Sequence, residues 1–388
     1  MDKKIDINYF GTFLTEDLLP QIEGKVYLFG AGEVSQAFAK KLERITDTPI
    51  SGFLTTYPSY KINIGRVNNY KDHWTAINQP NITIIVINQF AREIINLLRL
   101  MNIKARIINA IHLIFPFAHL LSQNNETAIL KRADAIEIAL TSHRSKHLYR
   151  ELIRCRTSKV IKQSIQETYE NFYLLMNEYY GLGDNYCSQH YFEHHELEKL
   201  QTIVEGGVCF GDISRKLLPL LSSKGQLHAF EPGFNEIITQ TNDKPLHRII
   251  KNPKYQNQFK INVQALWHKT ESLFFSNDRN FTRRHISNSG TKIDAISLDE
   301  YSKKVNLNSL DLIKLDIEGA EPNFIEGAIC TIKRFRPSLS ISIYHNNDQI
   351  VKIPEMLIKE LEDYRFEIGH HSNSPWLETV LYAVPEKS

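Results

Sequence analysis

Thr202–Asp212 reads TIVEGGVCFGD, and its reading decides the fold. Thr202, Ile203 and Val204 form an apolar strand, and Glu205 to Gly211 fit the pattern E-x-G-x-x-x-G. A helix is expected from about Asp212, with Ile213, Leu217, Leu218 and Leu221 on its apolar face. Strand, glycine loop and helix is the unit that holds nucleotide-like ligands, because glycines let a ligand lie against the backbone. Gly207 and Gly211 give that space, and Glu205 offers acceptors for a ligand's amino group. About twenty residues on, Gln226–Pro232 (QLHAFEP) reads as a second strand ending in Glu231. An acid there suits the two hydroxyls of an adenosine ribose.

Further strands follow. Phe259–Trp267 (FKINVQALW) reads as a third strand, Leu273–Ser276 as a short hairpin strand, and Ile293–Tyr301 as the next. Leu310–Glu321 reads LDLIKLDIEGAE, with a strand at Leu312–Leu315 delivering Asp316, Glu318, Gly319 and Glu321 to its carboxyl end. Ligands of open α/β sheets bind at that edge. Carboxylates crowded there are costly unless they serve a ligand, a proton transfer or ion pairs, here with Lys314 or Lys333. Ser338–Tyr344 is another strand, with His345 at its carboxyl end, and Phe366–Gly369 with Thr379–Val384 close the sheet as an antiparallel pair. Arg279, Arg283, Arg284 and His285 flank Phe281 and read as a solvated loop or as a phosphate site.

Upstream, Lys25–Phe29 (KVYLF) is followed by Gly30-Ala31-Gly32 and a helical pattern over Val34–Leu42. With buried strands at Ile50–Leu54, Ile82–Ile87 and Ala105–Ile108, this is a Rossmann-like domain. A working NAD site is not expected. Ser35 stands in place of the third glycine, and Thr55-Thr56 stand where an acid would hold the ribose. No Tyr-x-x-x-Lys pair follows in this domain. Ala133–Arg156 and Ile165–Tyr180 carry apolar residues at helical spacing, and Gly181-Leu182-Gly183-Asp184 ends the second run. Cys187–Glu196 (CSQHYFEHHE) invites a metal reading, His190 and His194 sharing a helix face. Ligands must converge from several elements, so a polar helix without metal is the expectation.

Composition bounds the rest. With 388 residues the chain is long enough for two domains. Lys plus Arg number 46 against 44 Asp plus Glu, a net charge of +2, which excludes a strongly basic nucleic-acid binder on bulk electrostatics. Cys155, Cys187, Cys209 and Cys330 lie far apart with no CxxC pair, so zinc ribbons and disulfide scaffolds are not expected and a reduced, cytoplasmic setting fits. The stretch MDKKIDINYFGTFLTEDLL has no apolar run before a small-residue site, so no signal peptide is expected. The most apolar stretch, Ile107–Leu121, contains His112, Pro116 and His119 and falls short of the roughly 20 residues of a membrane helix. Membrane insertion is not expected.

KLDIEGAE, followed by Phe324-Ile325-Glu326-Gly327-Ala328 and Arg336-Pro337, resembles the signature of FkbM-type methyltransferases. The resemblance extends over YFEHHELEKLQTIVEGGVCFGD, HAFEP, ISLDEY, SISIYH and ETVLYA, roughly residues 190–384. The N-terminal part is similar to longer members that carry a GAG-type Rossmann-like domain, and LTSHRSKHLYRELIRCR is similar to their linker helix. Glu205 stands where the family often has Asp, and Val208 where it usually has a smaller residue.

The resemblance implies two Rossmann-like α/β domains (1–132 and 199–388) joined by a helical linker (133–198), the second built on the seven-stranded sheet of class I methyltransferases. It implies methyl transfer from S-adenosylmethionine to a hydroxyl of a sugar, glycan or secondary metabolite. Carried over by motif, Glu205, Gly207, Cys209 and Gly211 line the methionine end of the cofactor, Glu231 holds the ribose, and Ala265 and Leu266 lie near the adenine. Asp316, Glu318 and His345 are the candidates for the acceptor's chemistry. Asp316 is expected to position the acceptor and His345, with an ordinary pKa near ~6.5, to act as base. A divalent metal on Asp316 and Glu318 is the less favoured reading, and no metal is expected. Two other functions compete: a methyltransferase fold that binds without turnover, and an NAD-linked oxidoreductase in the N-terminal domain. The expected partner is a small-molecule or glycan acceptor, and a homo-oligomer with a cleft between domains or subunits is compatible with the sequence.

Overall fold

The computed structural model describes residues 21–31, 33–46, 49–56, 67–88, 91–110, 125–157, 165–180, 190–195, 197–278, 284–372 and 375–386. The chain divides into two compact units, Met1–Leu120 with Ile161–Glu170 and Leu121–Val160 with Asn171–Ser388.

The first unit is a five-stranded parallel sheet. Its strands are β1 (Lys25–Phe29), β2 (Ile50–Thr55), β3 (Val67–Asn69), β4 (Ile82–Val86) and β5 (Arg106–Asn109), in the order β3-β2-β1-β4-β5. The near-continuous apolar runs of β1 and β4 reflect burial of both faces, as parallel sheets require. Helices α1 (Glu33–Thr46) and α2 (Ala91–Leu100) follow β1 and β4, and Phe38 and Leu42 of α1 pack with Val26, Leu28 and Phe53. Ser35 donates to the Ile87 carbonyl at 3.2 Å, so this hydroxyl braces the strand ends where a third glycine was the alternative. Gly32 lies outside the described residues. β3 was not anticipated, because Val67-Asn68-Asn69 is too short and polar to carry a strand pattern.

The second unit begins with α3 (Glu126–Ala139) and α4 (His143–Arg154), where the sequence suggested one continuous run over Ala133–Arg156. The break comes at Leu140–Ser142. Leu140 turns extended, and Ser142 caps α4 by accepting from the Ser145 amide at 3.1 Å. Leu148, Tyr149, Leu152 and Ile153 of α4 join the same core as Phe172 and Met176 of α5 (Ile165–Tyr180). Most of the span expected as a linker, 133–198, thus packs onto the second unit. Gly181–Asp184 and Cys187 lie outside the described residues.

The main sheet contains β6 (Leu200–Gly206), β7 (Leu221–Phe230) and β8 (Phe259–Asn262), with α6 (Ser214–Leu217) between β6 and β7. The expected helix after Asp212 is therefore short, and Leu221 already belongs to β7. A second, four-stranded sheet comes next: β9 (Ala265–Leu266), β10 (Glu271–Phe275), β11 (Ile286–Ser287) and β12 (Thr291–Ile296), ordered β11-β10-β12-β9. The single strand expected over Phe259–Trp267 is thus split between two sheets. The strand expected over Ile293–Tyr301 stops at Ser297, whose hydroxyl accepts from the Glu300 amide at 3.2 Å and starts α7 (Leu298–Lys304). The main sheet resumes with β13 (Leu312–Leu315), α8 (Glu321–Glu326), β14 (Ser338–Ser342), α9 (Gln349–Glu360), β15 (Tyr364–His370) and β16 (Thr379–Pro385).

The seven strands lie in the order β15-β16-β14-β13-β6-β7-β8, with β16 antiparallel to both its neighbours. Both faces are buried. Val204 of β6 enters one core with Ile313 and Leu339, and Ile203 enters the other with Leu227 and Leu312. The strand order reverses between β6 and β13, so a crevice opens at their carboxyl ends. Among the described residues, no helix is long and apolar enough to cross a membrane.

Candidate active site

Two side-chain groups meet at that crevice. The first is the loop after β6. Gly207 has φ +76°, and a Cβ there would sit 1.7 Å from the Asp316 carbonyl oxygen, so only glycine lets the ends of β6 and β13 approach this closely. Cys209 and Gly211 also have positive φ, +46° and +81°. The Cys209 amide donates to Glu231 Oε2 at 2.9 Å, and the Gly233 amide donates to Oε1 of the same carboxylate at 2.8 Å. Glu231 thereby ties the loops after β6 and β7 together. Each of its oxygens has a second lone pair beyond these bonds. Burial raises its pKa, and the two amide bonds oppose that rise.

Glu205 is fully buried and accepts the Ser214 hydroxyl on Oε2 at 2.6 Å, while Oε1 has no partner among the described residues. Burial raises its pKa too, against the nearby Lys314 charge. The Lys314 ammonium, carried by a side chain inside β13, donates to the carbonyls of Gly207 at 2.7 Å and Gly206 at 3.2 Å. The Leu266 side chain reaches the same loop, with Cδ1 3.1 Å from where a Gly206 Cβ would be. Ala265 is buried beside it and pairs with Ala295 of β12.

The second group is a carboxylate cluster after β13 and β14. Asp316 Oδ2 accepts the Tyr191 hydroxyl at 2.7 Å, and Oδ1 lies 3.1 Å from His345 Nε2. His345 Nδ1 lies 3.0 Å from Glu321 Oε1, and Nε2 lies 3.8 Å from Glu318 Oε2. Glu321 is fully buried; the Ile317 amide donates to its Oε1 at 2.9 Å and Gln349 Nε2 to its Oε2 at 3.0 Å. Contacts with His345, Lys314 and Tyr191 outweigh burial and hold Asp316 far below the usual carboxylate range. Burial, joined by the Asp316 and Glu321 charges, pushes Glu318 up to about 8. The structure thus brings Asp316, Glu318 and His345 together, next to the loop that carries Glu205, Gly207, Cys209 and Gly211.

Sequence reasoning missed four participants. Tyr191 lay inside the recognised stretch, but nothing local marked its hydroxyl. Gln349 and Ser214 read as ordinary helix residues. Glu378, just before β16, places Oε2 3.4 Å from His190 Nε2, and burial together with the Asp316 charge pushes it up to about 7. The alternative of ion pairs from Glu318 and Glu321 to Lys314 or Lys333 is not seen among the described residues: Lys314 serves the loop carbonyls and Lys333 pairs with Glu360 at 2.7 Å.

Two sequence features resolve differently. His190 to His195 form turns, not a helix: His190 stacks on Tyr191 at 3.9 Å, and His195 Nε2 contacts Ser340 Oγ at 2.6 Å. Burial lowers His194 to about 4 and His195 to about 3, which leaves both neutral. Among the described residues the one trio with metal-compatible spacing is Asp316, Glu321 and His345, whose ligand atoms lie within 4.8 Å of one another. Both ring nitrogens of His345 already lie close to carboxylates of the protein, 3.1 Å from Asp316 and 3.0 Å from Glu321. Of the basic cluster, Arg284 is an internal tether, donating to Glu236 at 2.8 Å and to the Asp278 carbonyl at 2.9 Å. Arg279, Phe281 and Arg283 lie outside the described residues.

A seven-stranded sheet of this order, with a glycine loop after its central strand, an acid after the next and a carboxylate edge across the switch point, defines a class I methyltransferase fold. Residues 205–368 match the methyltransferase FkbM domain. The whole chain is similar in fold to the crystal structure of methyltransferase FkbM from Methylobacillus flagellatus KT, with a TM-score of 0.58 at 13% identity, covering 98% of this chain and 99% of that one. A putative rRNA-methylase from Clostridium thermocellum aligns over 52% of this chain and 96% of its own, with a TM-score of 0.33 at 10% identity. Aeropyrum pernix fibrillarin, solved with natively bound S-adenosyl-L-methionine, aligns over 51% of this chain and 73% of its own, with a TM-score of 0.30 at 10% identity. No curated protein matches the sequence.

Proposed function

We propose that the second unit uses S-adenosylmethionine to methylate a hydroxyl oxygen on a sugar, glycan or related metabolite. The observation that carries this reading is the loop Glu205–Gly211 closed onto Glu231 at the carboxyl ends of β6 and β7. The buried, unpartnered Glu205 Oε1 suits the ammonium of the cofactor's methionine end. Gly207, Cys209 and Gly211 would line that end, the free lone pairs of Glu231 would take the ribose hydroxyls, and Leu266, with Ala265 behind it, would border the adenine. The bound cofactor supplies an electrophilic sulfonium methyl group. The protein's part is to align the acceptor oxygen with that methyl and remove its proton, and alignment is the larger contribution. Asp316, fixed by Tyr191, is the positioning group in this reading.

Calorimetry with S-adenosylmethionine, S-adenosylhomocysteine and NAD tests it. The first two are expected to bind and NAD is not. Glu231→Ala should weaken S-adenosylmethionine by about 1–3 kcal/mol through loss of hydrogen bonds to a charged group. Binding of NAD alone would overturn the proposal. Unchanged affinity in the Glu231 variant would remove the ribose assignment, and cofactor binding without transfer to any hydroxylated acceptor would favour a binding role.

A further inference from the structure

We infer that His345 is a permanently protonated positioning residue, clamped between Glu321 and Asp316, and that Glu318 receives the acceptor's proton. This rests on the proposed methyl transfer and departs from the expectation that His345 is the base.

The argument starts from Glu321. Its side chain is fully buried, with one oxygen held by the Ile317 amide and the other by Gln349, so it cannot turn towards solvent. A buried carboxylate needs a counter-charge. Neither nearby lysine supplies it, since Lys314 is committed to Gly206 and Gly207 and Lys333 to Glu360. The group in contact is His345, itself only 7% exposed.

A neutral imidazole carries a bare lone pair on one nitrogen. Carboxylate oxygens lie 3.1 Å from Nε2 and 3.0 Å from Nδ1, so a lone pair on either nitrogen would sit beside negative charge, a repulsive contact. The imidazolium instead sets a positive charge between the two carboxylates. Burial alone would lower the ring's pKa, but the charges of Glu321 and Asp316 outweigh it and raise the pKa well above the ordinary value. A group that is already protonated cannot act as a base.

Asp316 is also excluded as base. The Tyr191 hydroxyl and His345 stabilise its ionised form, so its affinity for a proton is small. Glu318 differs in each respect. It stands at φ +54°, its one cationic contact is the 3.8 Å approach to His345, and it is the most exposed carboxylate of those touching the ring, at 34%. An acceptor can reach it, and with its proton affinity raised to about 8 it is ionised and able to take a proton at mildly alkaline pH. Of the other groups around the cluster, Glu378 is turned to Tyr344 and His190, and Lys314 to the loop carbonyls. In balance, the acceptor oxygen gains the methyl group and gives its proton to Glu318, while the electron pair of the broken S–CH3 bond stays with sulfur.

Nuclear magnetic resonance titration of the full chain in the presence of S-adenosylhomocysteine reads both halves without an acceptor. With 15N-labelled histidine, His345 (assigned by loss of its signal in His345→Gln) should stay doubly protonated from about pH 6 to 8. In Glu321→Gln its midpoint should fall by at least tenfold in proton affinity. With 13C-labelled glutamate, Glu318 should titrate at about 8, a signal lost in Glu318→Gln. A neutral His345 at pH 7.5 in the unaltered protein, or a Glu318 midpoint at the ordinary value of about 4.3, overturns the inference. The first result is read on the unaltered protein, the variant serving only to assign the signal. Loss of S-adenosylhomocysteine binding would instead sink the cofactor reading, so the two failures are distinguishable.

Discussion

Gly207→Ala tests the closest approach in the site. The added Cβ would lie 1.7 Å from the Asp316 carbonyl oxygen and 2.8 Å from its carbon, both backbone atoms. Neither side can retreat freely. The Gly207 amide is bonded to the Phe230 carbonyl at 3.1 Å, and the Asp316 amide to the Gly206 carbonyl, also at 3.1 Å. A left-handed alanine costs about 1–2 kcal/mol. Forcing a methyl group into a packed site adds about 1–3 kcal/mol, and one weakened hydrogen bond about 1 kcal/mol. The sum, about 3–6 kcal/mol, is a large share of the 5–15 kcal/mol that typically holds a domain together. Urea denaturation followed by circular dichroism measures it. Cys209→Gly is the control. Cys209 already stands at φ +46°, so glycine relieves strain there, and stability should stay within about 1 kcal/mol of the parent. A loss below 1 kcal/mol for Gly207→Ala would refute the reasoning, because it would mean that the two strand ends can separate at little cost.

Three further outcomes are expected. Lys314→Met leaves the Gly207 carbonyl without its 2.7 Å donor and should cost about 1–3 kcal/mol by chemical denaturation, with weaker cofactor binding in the same protein. Ser142→Ala removes the cap of α4 and a 2.5 Å hydrogen bond to the carboxylate of Glu367, together worth about 2–4 kcal/mol; a change under 0.5 kcal/mol would count against α4 as part of the second unit's core. Because Glu318 is raised to about 8, the folded state binds its proton more tightly than the unfolded chain does. That contribution is present at low pH and is lost as pH rises from the unfolded value of about 4.3 through 8. Glu318→Gln should therefore gain stability relative to the parent across that window and show a constant advantage above it, as read from urea midpoints at several pH values.

What the sequence revealed and what it hid follow one physical division. Motifs whose meaning is local were legible. The loop Glu205–Gly211 needs its glycines at fixed spacing, Glu231 ends its own strand, and Asp316 and His345 each terminate an apolar run, so convergence at one sheet edge follows from parallel strand topology. Features decided by distant partners were not. FKINVQALW alternates from Phe259 through Ala265, and nothing in it says that Phe259–Asn262 joins one sheet and Ala265–Leu266 another. Tyr191 reaches Asp316 across 125 positions, and Glu378 enters the cluster from a loop with no pattern of its own. The starts of α4 and α7 were hidden as well: Ser142 and Ser297 cap them in the structure, but each serine sits inside an apolar pattern that reads as continuous.

Asp316 explains why the two halves of the site behave as one. Its amide is bonded to Gly206 and its carbonyl is packed on Gly207, so its backbone belongs to the loop proposed to hold the cofactor. Its carboxylate belongs to the proton-handling cluster through Tyr191 and His345. The neighbouring Lys314 repeats the pattern, with an ammonium on the loop carbonyls and the Tyr191 ring 5.0 Å away. A shift of either loop therefore moves the carboxylate proposed to position the acceptor. The charges follow the same economy: one imidazolium answers two buried carboxylates, one ammonium fixes the loop, and Glu318 is left with the least compensation. A group so placed can release its proton at a pH slightly above neutral, which is the property that the proposed hydroxyl-methylating site requires of its base.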